Sequence, residues 1–422
     1  MARMPRLPAM LDPRQQPASS CGAAPGRPAR LPAGPLLVAT AVCALWSARA
    51  ASVPLVVQWE KPGVRAGGAK GFTELATGDL LATRTVRRGQ AAEVICARSR
   101  DGGKSWHDLA TIVRDETPGS DIGDGHLIEL RDRTILYSYR ANHYRAVAAD
   151  HPRYQIRVAA SRDGGSSWAA HSIVKSVSAA KGEVRGLWSS CLHQRRDGTL
   201  LCFYDDEDAA WRAGFERHQW LMMQQWNETA RAWSSPVVVS RAADPRHLSR
   251  DGMPSVVEGR NGELLCALES VSEERPHWNV VRLVRSADGG KTWDWRTSGR
   301  PVVHQSTKRG FGAVSPWLAA LDDATLVCVF ATDEDRATPD PPGAAVGAMN
   351  RDIKFVVSAD NGVTWSRQAA GVATDTHKTY MPQLTRLRHP RHRNTMLCLY
   401  LDTTLGFRGI RGTWPGPAAI GN

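Results

Sequence analysis

Glu269 is the carboxylate in this sequence that is best placed to act as a general acid. It ends an otherwise apolar segment, Leu264–Leu268, so partial burial of its side chain is expected. Burial disfavours the charged form of a carboxyl group and raises its pKa, which keeps a proton available for donation near neutral pH. A protonated carboxyl group that works with a second carboxylate is the arrangement used to hydrolyse glycosidic bonds.

Further polar side chains recur where the apolar segments of the chain begin or end. We select as sugar-binding candidates Asp121, Asp124, His126, Arg140, Arg185, Trp188, Asp205, Arg250, Asp251 and Asp333. Tyr380 is expected on the same face of the fold as these residues. Two alternatives stay open: each acidic group simply caps a solvated loop, or Asp205, Asp206 and Glu207 bind a calcium ion through their oxygens.

An eight-residue repeat shows how these side chains are brought together. The pattern Ser-x-Asp-x-Gly-x-Ser/Thr-Trp occurs at 99–106, 161–168, 286–293 and 358–365, and a worn copy stands at 226–233. The spacing indicates a period of about 62 residues and a repeat architecture. Asp and Gly favour a tight turn in which the carboxylate accepts backbone N–H bonds, and the Trp then packs between layers.

Six short apolar strands, each preceded by another strand and a turn, alternate with these repeats. The sequence therefore predicts an all-β fold, a six-bladed β-propeller of four-stranded antiparallel blades over residues 51–422. An N-terminal strand near Pro54–Trp59 is expected to complete the last blade. In such a blade the start of strand one and the end of strand two share a face, which gathers the candidate residues at one mouth.

Residues 1–50 have a different composition from the rest of the chain. A basic Pro-, Ala- and Arg-rich stretch precedes a short apolar run at 37–46 and the small residues of Ser47–Ala50. This order is typical of a secretory signal peptide. We expect an extracellular, secreted protein with no stable membrane insertion after the leader is removed; an N-terminal anchor is the alternative.

Charge and cysteine content narrow the possible partners. The net charge of +12 is scattered and shows no basic cluster interleaved with aromatic residues, so no nucleic acid is expected as a partner. Neither Cys-x-x-Cys nor His-Glu-x-x-His spacing occurs, and we predict no metal and no cofactor. Four of the eight cysteines, Cys202, Cys266, Cys328 and Cys398, occupy one matched repeat position and are expected to be buried and free. Cys191 and Cys202 flank a turn, however, and are a candidate disulfide. We expect a monomer.

The repeated turns resemble the Asp-box, or BNR, repeats of the sialidase superfamily. The later segments resemble the exo-arabinanase-like branch of secreted glycoside hydrolases. The matching segments are GDGHLIEL, YSYRANHYR, GLW at 186–188, Arg250–Pro254, Thr332–Asp335 and Tyr380–Pro382. This resemblance implies that Glu269 is the general acid/base and that Tyr380 assists near the reacting carbon. It also implies that Asp121, Arg140 and Arg250 shape the sugar pocket.

One position departs from the pattern of that branch. Where its nucleophilic Glu follows the Trp, this chain has Ser189 after Trp188. We therefore hold two main hypotheses: a secreted exo-glycosidase acting on an arabinan-like or sialyl glycan, and a carbohydrate-binding propeller that has lost catalysis. A sialidase would need three arginines, for which Arg65, Arg140 and Arg250 are the candidates. A protein-binding scaffold is the third hypothesis.

Overall fold

The computed structural model describes residues 57–144, 152–180, 183, 185–272, 279–321, 325–341, 346–367 and 369–414. All of them belong to one compact unit, Ser52–Asn422. The predicted leader, residues 1–50, lies outside the described residues.

Six antiparallel sheets follow one another along the chain. Two short strands come first, β1 (Gln58–Trp59) and β2 (Val64–Arg65). Blade one contains β3 (Gly71–Glu74), β4 (Leu80–Arg88), β5 (Ala91–Ser99) and β6 (His107–Asp115). Blade two contains β7 (Ser120–Glu129), β8 (Ile135–His143), β9 (Arg153–Ser161) and β10 (Ala169–Ser178). Blade three contains β11 (Leu187–Gln194), β12 (Leu200–Asp206), β13 (Trp220–Asn227), β14 (Ala232–Trp233) and β15 (Val237–Ser240). Blade four contains β16 (Ser249–Glu258), β17 (Leu264–Ser272), β18 (Asn279–Ser286) and β19 (Val302–His304). Blade five contains β20 (Ala313–Ala320), β21 (Leu326–Thr332), β22 (Asp352–Ser358) and β23 (Ala370–Gly371). Blade six contains β24 (Thr379–Arg386), β25 (Thr395–Asp402) and β26 (Gly406–Thr413).

This arrangement confirms the predicted six-bladed β-propeller. Helical structure in the described ranges is limited to α1 (Glu207–Arg212) and two 3₁₀ turns, Val346–Ala348 and Pro390–His392. None of the helices in this part of the chain is long and apolar enough to cross a membrane.

The N-terminal strands close the ring. β1 pairs with β26 through Gln58 and Thr413, and β2 pairs with the same strand through Val64 and Gly409. The expected N-terminal strand therefore does complete the last blade, with Gln58–Trp59 as its described part. Because the first and last segments share one sheet, no blade is left with a long open edge at the junction.

The repeated turns are built as their sequence predicts. In the first copy, Asp101 accepts hydrogen bonds from the Ser105 backbone N–H at 2.9 Å and from the Ser105 hydroxyl at 2.6 Å. Gly103 has a φ of 91°, a left-handed conformation that glycine adopts without strain. The Trp106 indole N–H donates to the Gly103 carbonyl at 3.3 Å. The Asp side chain thus organises the turn.

Apolar side chains pack between neighbouring blades in six clusters, one for each interface of the ring among the described residues. The six cysteines of this part are free and buried. The candidate disulfide is wrong, because Cys191 pairs in register with Phe203 while Cys202 pairs with Leu192. Their side chains consequently enter different interfaces, that between blades three and four and that between blades two and three.

From blade one to blade six, the first strands of successive blades lie against one another around the central channel. A β-bulge interrupts the first strands of blades two to six near the predicted mouth; in blade two it falls between Gly123 and His126. At or beside this bulge, or directly before β3 in blade one, a residue other than glycine takes positive φ in five blades. These residues are Lys70, Asp124, Met253, Ser315 and Met381. Bulges redirect side chains, and a left-handed non-glycine residue costs about 1–2 kcal/mol, so strained backbone is concentrated around the channel.

Side chains from opposite blades meet inside the channel. The His126 ring of blade two lies 5.1 Å from the Trp317 ring of blade five, measured between centroids. Lys70 Nζ, at the start of blade one, lies 3.2 Å from the Met253 sulfur of blade four. The channel is therefore filled at these levels.

Candidate active site

Asp124 is the central carboxylate of the predicted mouth. Its Oδ1 accepts a 2.6 Å hydrogen bond from Lys70 Nζ, and its Oδ2 accepts hydrogen bonds from Arg140 Nη1 and, at 3.2 Å, from the Ser189 hydroxyl. Burial opposes ionisation, but the charges of Lys70 and Arg140 outweigh it and hold the pKa of Asp124 well below its ordinary value. Asp124 is therefore an ionised carboxylate beside two fixed cations.

Arg140 joins Asp124 to Asp121. Its Nε and Nη2 donate to the two oxygens of Asp121 at 3.0 and 2.9 Å, which is a bidentate pair. The Tyr144 hydroxyl also donates to Asp121, at 2.9 Å. The sequence analysis grouped Asp121, Asp124 and Arg140, and the structure brings them together in one network.

Glu269 is half-buried and lies between the bulge of β16 in its own blade and the bulge of β20 in blade five. It lies opposite Gly252 in register, and its Oε2 accepts a 2.8 Å hydrogen bond from the Ser315 backbone N–H. Burial raises the pKa of Glu269, and this effect exceeds the lowering by the Ser315 N–H and by the Lys70 charge. The negative charge of Asp124 acts in the same direction as burial. The pKa of Glu269 is thus shifted in the direction that its sequence context predicts.

Asp205 is a second buried carboxyl group at this level. Its Oδ2 accepts the backbone N–H groups of Ser189 and Met253, both at 3.3 Å, and its side chain is 2% exposed. Burial raises the pKa of Asp205 to about 8, and the charges of Asp124 and Glu269 contribute to the rise. Asp205 is neutral at neutral pH and links the inner strands of blades three and four.

Tyr380 lies close enough to Glu269 to respond to its charge. Burial raises the pKa of Tyr380, and the Glu269 carboxylate raises it further, while Arg351 opposes both. The phenol therefore keeps its proton and remains a hydrogen-bond donor at the channel. The two candidate catalytic residues of the sequence analysis are electrostatic neighbours.

Trp188 and Tyr144 provide an aromatic wall beside the Asp121–Arg140 pair. Their ring centroids are 6.4 Å apart, and the Arg140 guanidinium lies 5.7 Å from the Trp188 ring. Tyr144 is 36% exposed, so its ring is accessible from solvent. Such a wall presents an apolar face and a polar edge to a ligand.

Four other predicted sugar-binding residues hold loops together. Arg185 pairs with Glu183 and Asp208, and its guanidinium lies 3.4 Å from the Trp211 ring. The remaining contacts are Arg250 with Glu207 at 2.5 Å, Asp251 with Arg300 at 2.8 Å, and Asp333 with the backbone N–H groups of Gly312 at 2.8 Å and Asp340 at 2.7 Å. These side chains bind protein groups and thereby fix the loops of this face.

His126 lies deeper in the channel than the mouth at which the sequence analysis placed it. Its Nδ1 accepts the Leu192 backbone N–H at 3.2 Å, and its ring packs against Trp317. Burial lowers the pKa of His126 to about 4, so the ring is neutral at neutral pH. His126 lies beyond the bulge, two residues deeper along β7 than Asp124.

The alternative calcium site is not assembled. Asp205 faces the channel, Asp206 caps α1 by accepting the Ala209 N–H at 2.7 Å, and Glu207 pairs with Arg250. No group of three His, Cys, Asp or Glu side chains that could hold a metal ion is found within the described ranges.

The three arginines required of a sialidase do not meet in one place. Arg65 lies on β2, the outer strand paired with β26, whereas Arg140 lies at the channel and Arg250 pairs with Glu207. These residues consequently form no joint carboxylate clamp.

The sequence analysis missed Lys70, Met253 and Tyr144. Lys70 stands in a glycine-rich stretch before a short strand, where nothing in its neighbours marks it as a channel residue. Its positive φ of 66° matches that of Asp124 and Met253. The strand that follows it, β3, pairs with β4 without a bulge, so the sequence offers no bulge pattern that would have marked the position.

Comparison with known proteins supports this geometry at the level of the fold. No protein-family model matches the chain, and no curated protein matches it. The solved GH93 alpha-L-arabinofuranosidase of Fusarium graminearum, in complex with arabinobiose, is similar with a TM-score of 0.59 and 18% identity, over 83% of this chain and 98% of that one. This chain has its fold.

Two further structures belong to the same comparison. The alpha-L-arabinanase of Penicillium chrysogenum complexed with arabinobiose has a TM-score of 0.57 and 16% identity, over 85% of this chain and 96% of its own. The Hadza microbial sialidase Hz136 has a TM-score of 0.54 and 18% identity, over 84% of this chain and 68% of its own. These likenesses show that the chain has the propeller fold of these glycoside hydrolases, the fold that its repeats predicted.

Proposed function

We propose that this protein is an exo-acting glycoside hydrolase that removes a terminal sugar from an arabinan-like glycan outside the cell. The observation that carries the proposal is the opposite displacement of two neighbouring carboxyl pKa values: that of Asp124 is lowered and that of Glu269 is raised. Carboxyl groups whose environments separate their pKa values are suited to the two roles of glycoside hydrolysis.

Glu269 is the general acid in this proposal. Its proton passes to the leaving glycosidic oxygen as the bond to the anomeric carbon breaks. A water molecule then adds to the anomeric carbon and gives one proton to the Glu269 carboxylate, which restores the acid. Asp124 supplies a fixed negative charge that stabilises the positive charge developing on the sugar ring. A carboxylate with such a low pKa is a weak base, so Asp124 acts through its charge.

The surrounding groups orient the sugar. The aromatic wall of Trp188 and Tyr144 offers a surface for the apolar face of a sugar ring, and the Asp121–Arg140 pair lies beside it to bind hydroxyl groups. Tyr380, which stays protonated, is a donor next to Glu269. Arabinobiose is bound by two of the similar propellers, which supports an arabinan-like substrate.

Ser189 favours a second candidate function, sugar binding without hydrolysis. Its side chain is 2% exposed and bonds to Asp124 and to the Met253 sulfur, so it cannot replace the carboxylate that the resemblance expects after Trp188. A propeller of this kind would bind the glycan through the same mouth and release nothing.

The deciding experiment measures hydrolysis of chromogenic arabinofuranosides and sialosides by residues 51–422, beside Glu269→Gln. Loss of the acid is expected to lower kcat by about 10²–10⁴-fold, since proton donation contributes that much. Glu334→Gln is the matched control, because Glu334 pairs with His304 and Lys354 on the same face. Full activity of Glu269→Gln would refute the assignment of the acid. Glycan binding without any hydrolysis by the unmutated chain would establish the second function.

A further inference from the structure

A cavity opens at the mouth of the ring opposite the candidate active site. It has a volume of about 690 Å³ and is lined where the first strands of blades three to six end, at Gln194, Glu258, Ala320 and Arg386. Asp124 and Glu269 lie at the other ends of the blades, at the start of a first strand and the end of a second. The cavity is therefore separate from the site described above.

Arginines dominate the charge of this cavity. Its charged lining residues, as far as the structure describes them, are Arg196, Arg260, Arg386, Arg388, Arg393 and Glu258. Glu258 accepts a 2.7 Å hydrogen bond from the Arg196 backbone N–H. Five guanidinium groups face a single carboxylate.

Four of these arginines have no ion-pair partner within the described part of the chain. The Arg386 guanidinium lies 4.9 Å from the Trp414 ring, and that of Arg388 donates to the Ala320 carbonyl at 3.3 Å. Arg196 donates to the backbone carbonyls of Glu258 and Arg260 at 3.4 and 3.5 Å, and Arg393 is exposed.

The two arginines next to the cavity in sequence are paired: Arg195 with Asp197 at 2.5 Å and Arg391 with Asp79 at 3.3 Å. The four arginines named above therefore differ from these neighbours in lacking a carboxylate partner among the described residues. Because like charges repel, a cluster of this kind is stabilised by an anion that fits between the guanidinium groups.

The rest of the lining suits hydroxyl groups better than bases. Gln194, Asn361 and Asn394 bring amides to the wall, and buried His193 Nε2 has no hydrogen-bond partner in the structure. None of the described lining residues is Phe, Tyr or Trp, the side chains on which nucleic-acid bases stack. Amides and an unpartnered imidazole nitrogen match the donors and acceptors of sugar hydroxyls.

We propose that this cavity binds an acidic oligosaccharide, a sugar segment that carries carboxylate or sulfate groups. The guanidinium groups of Arg388 and Arg393 bind the anionic groups, and the amides bind neighbouring hydroxyls. The volume falls in the range of about 300–1,000 Å³ that is usual for ligand sites. The propeller then holds an acidic glycan at one mouth independently of the chemistry at the other.

The test compares a trisaccharide of uronic acid, its sulfated counterpart and a neutral trisaccharide by calorimetry at fixed ionic strength. Arg388→Gln/Arg393→Gln is expected to weaken binding of the acidic sugars about tenfold or more, because charge-assisted hydrogen bonds are lost. Arg231→Gln/Arg246→Gln removes two exposed, paired arginines elsewhere and leaves binding unchanged. If the double variant does not fold, Arg393→Gln alone replaces it.

Three results would overturn the proposal. They are equal affinity for the neutral trisaccharide, equal weakening by the control variant, and equal or tighter binding of a single-stranded DNA of matched charge. Hydrolysis of small chromogenic glycosides stays the same in all variants. Failure of this site is therefore distinguishable from failure of the proposed active site.

Discussion

At the scale of single residues, Lys70 is the charge that sets the behaviour of the candidate site. Its ammonium contacts Asp124 at 2.6 Å, and its positive charge lowers the pKa of Asp124, Asp205 and Glu269. One side chain that lies outside the sheets therefore couples three carboxyl groups. The ionised state of Asp124 depends on it together with Arg140.

Lys70→Met tests this coupling. Without the ammonium, the pKa values of Asp124 and Glu269 both rise, so both limbs of the pH profile of kcat/KM shift to higher pH. Lys354→Met, which removes a lysine paired with Glu334 and Asp335, should leave the limbs where they are. An unshifted acidic limb in Lys70→Met contradicts the coupling.

Asp205 makes stability depend on pH in a direction opposite to that of most carboxylates. Its pKa is about 8 in the folded protein against an ordinary 3.8, so the folded state holds a proton that the unfolded chain releases between these values. The stabilisation is complete below about pH 4 and is lost as the pH rises through about 8.

We expect Asp205→Asn to remove this dependence. The amide oxygen still accepts the N–H groups of Ser189 and Met253, while the titrating group is gone. The free energy of unfolding of the unmutated chain, relative to the variant, should fall with rising pH by at most about 1.4 kcal/mol per pH unit. Urea unfolding at several pH values measures the difference, and parallel curves for the two proteins would refute the buried, neutral state.

At the scale of elements, the repeated turns and the inner bulges have different roles in the blade: the turns stabilise it, and the bulges place residues at the channel. The turns use local hydrogen bonds, so they can be recognised from eight residues. The bulges set left-handed residues such as Met253 and Ser315 at the channel, where packing across the ring compensates their strain. Stability and chemistry are thus placed at opposite ends of the same blades.

Asp288→Ala measures the contribution of one turn. Asp288 accepts hydrogen bonds from Ser286 Oγ at 2.8 Å, Thr292 N at 2.9 Å and Thr292 Oγ1 at 2.6 Å. Its loss should lower the free energy of unfolding by about 1–3 kcal/mol without changing sugar binding. Lys291→Ala in the same turn is the control. A loss of activity larger than the loss of stability would show that the turn is more than structural.

The elements also show how far the sequence carries. Spacing and turn chemistry predicted six blades and the face on which Asp121, Asp124, Arg140 and Glu269 meet, because these features are local or repeat regularly. Partner choice was not predictable: Arg250 pairs with Glu207, which is 43 residues away. Whether an arginine binds a ligand or a loop depends on such long-range contacts, which cannot be deduced from residue types and their spacing.

At the scale of the whole molecule, ring closure makes the two ends of the chain interdependent. Gly63 N donates to Asp375 Oδ1 at 3.1 Å, and Arg408 pairs with the same carboxylate at 2.9 Å. Trp59 packs against the apolar cluster between blades five and six. The N-terminal strands therefore hold the last blade in place.

A chain that begins at Gly67 lacks both strands. The edge of β26 is then exposed, and we expect unfolding at lower temperature together with aggregation, since unpaired strand edges associate. Thermal unfolding followed by light scattering, beside a chain that begins at Ser52, measures both effects. Equal melting temperatures would show that the ring closes without β1 and β2.

The contacts across the channel also determine by which route a sugar can enter and leave the protein. Because His126 meets Trp317, and Lys70 meets Met253, no sugar can pass from one mouth to the other. In the proposed hydrolase, a released monosaccharide must leave by the entrance that the next polymer end needs. Product and substrate therefore compete for the same mouth of the channel. We expect the rate of hydrolysis to fall as the product accumulates, with the kinetics of competitive inhibition.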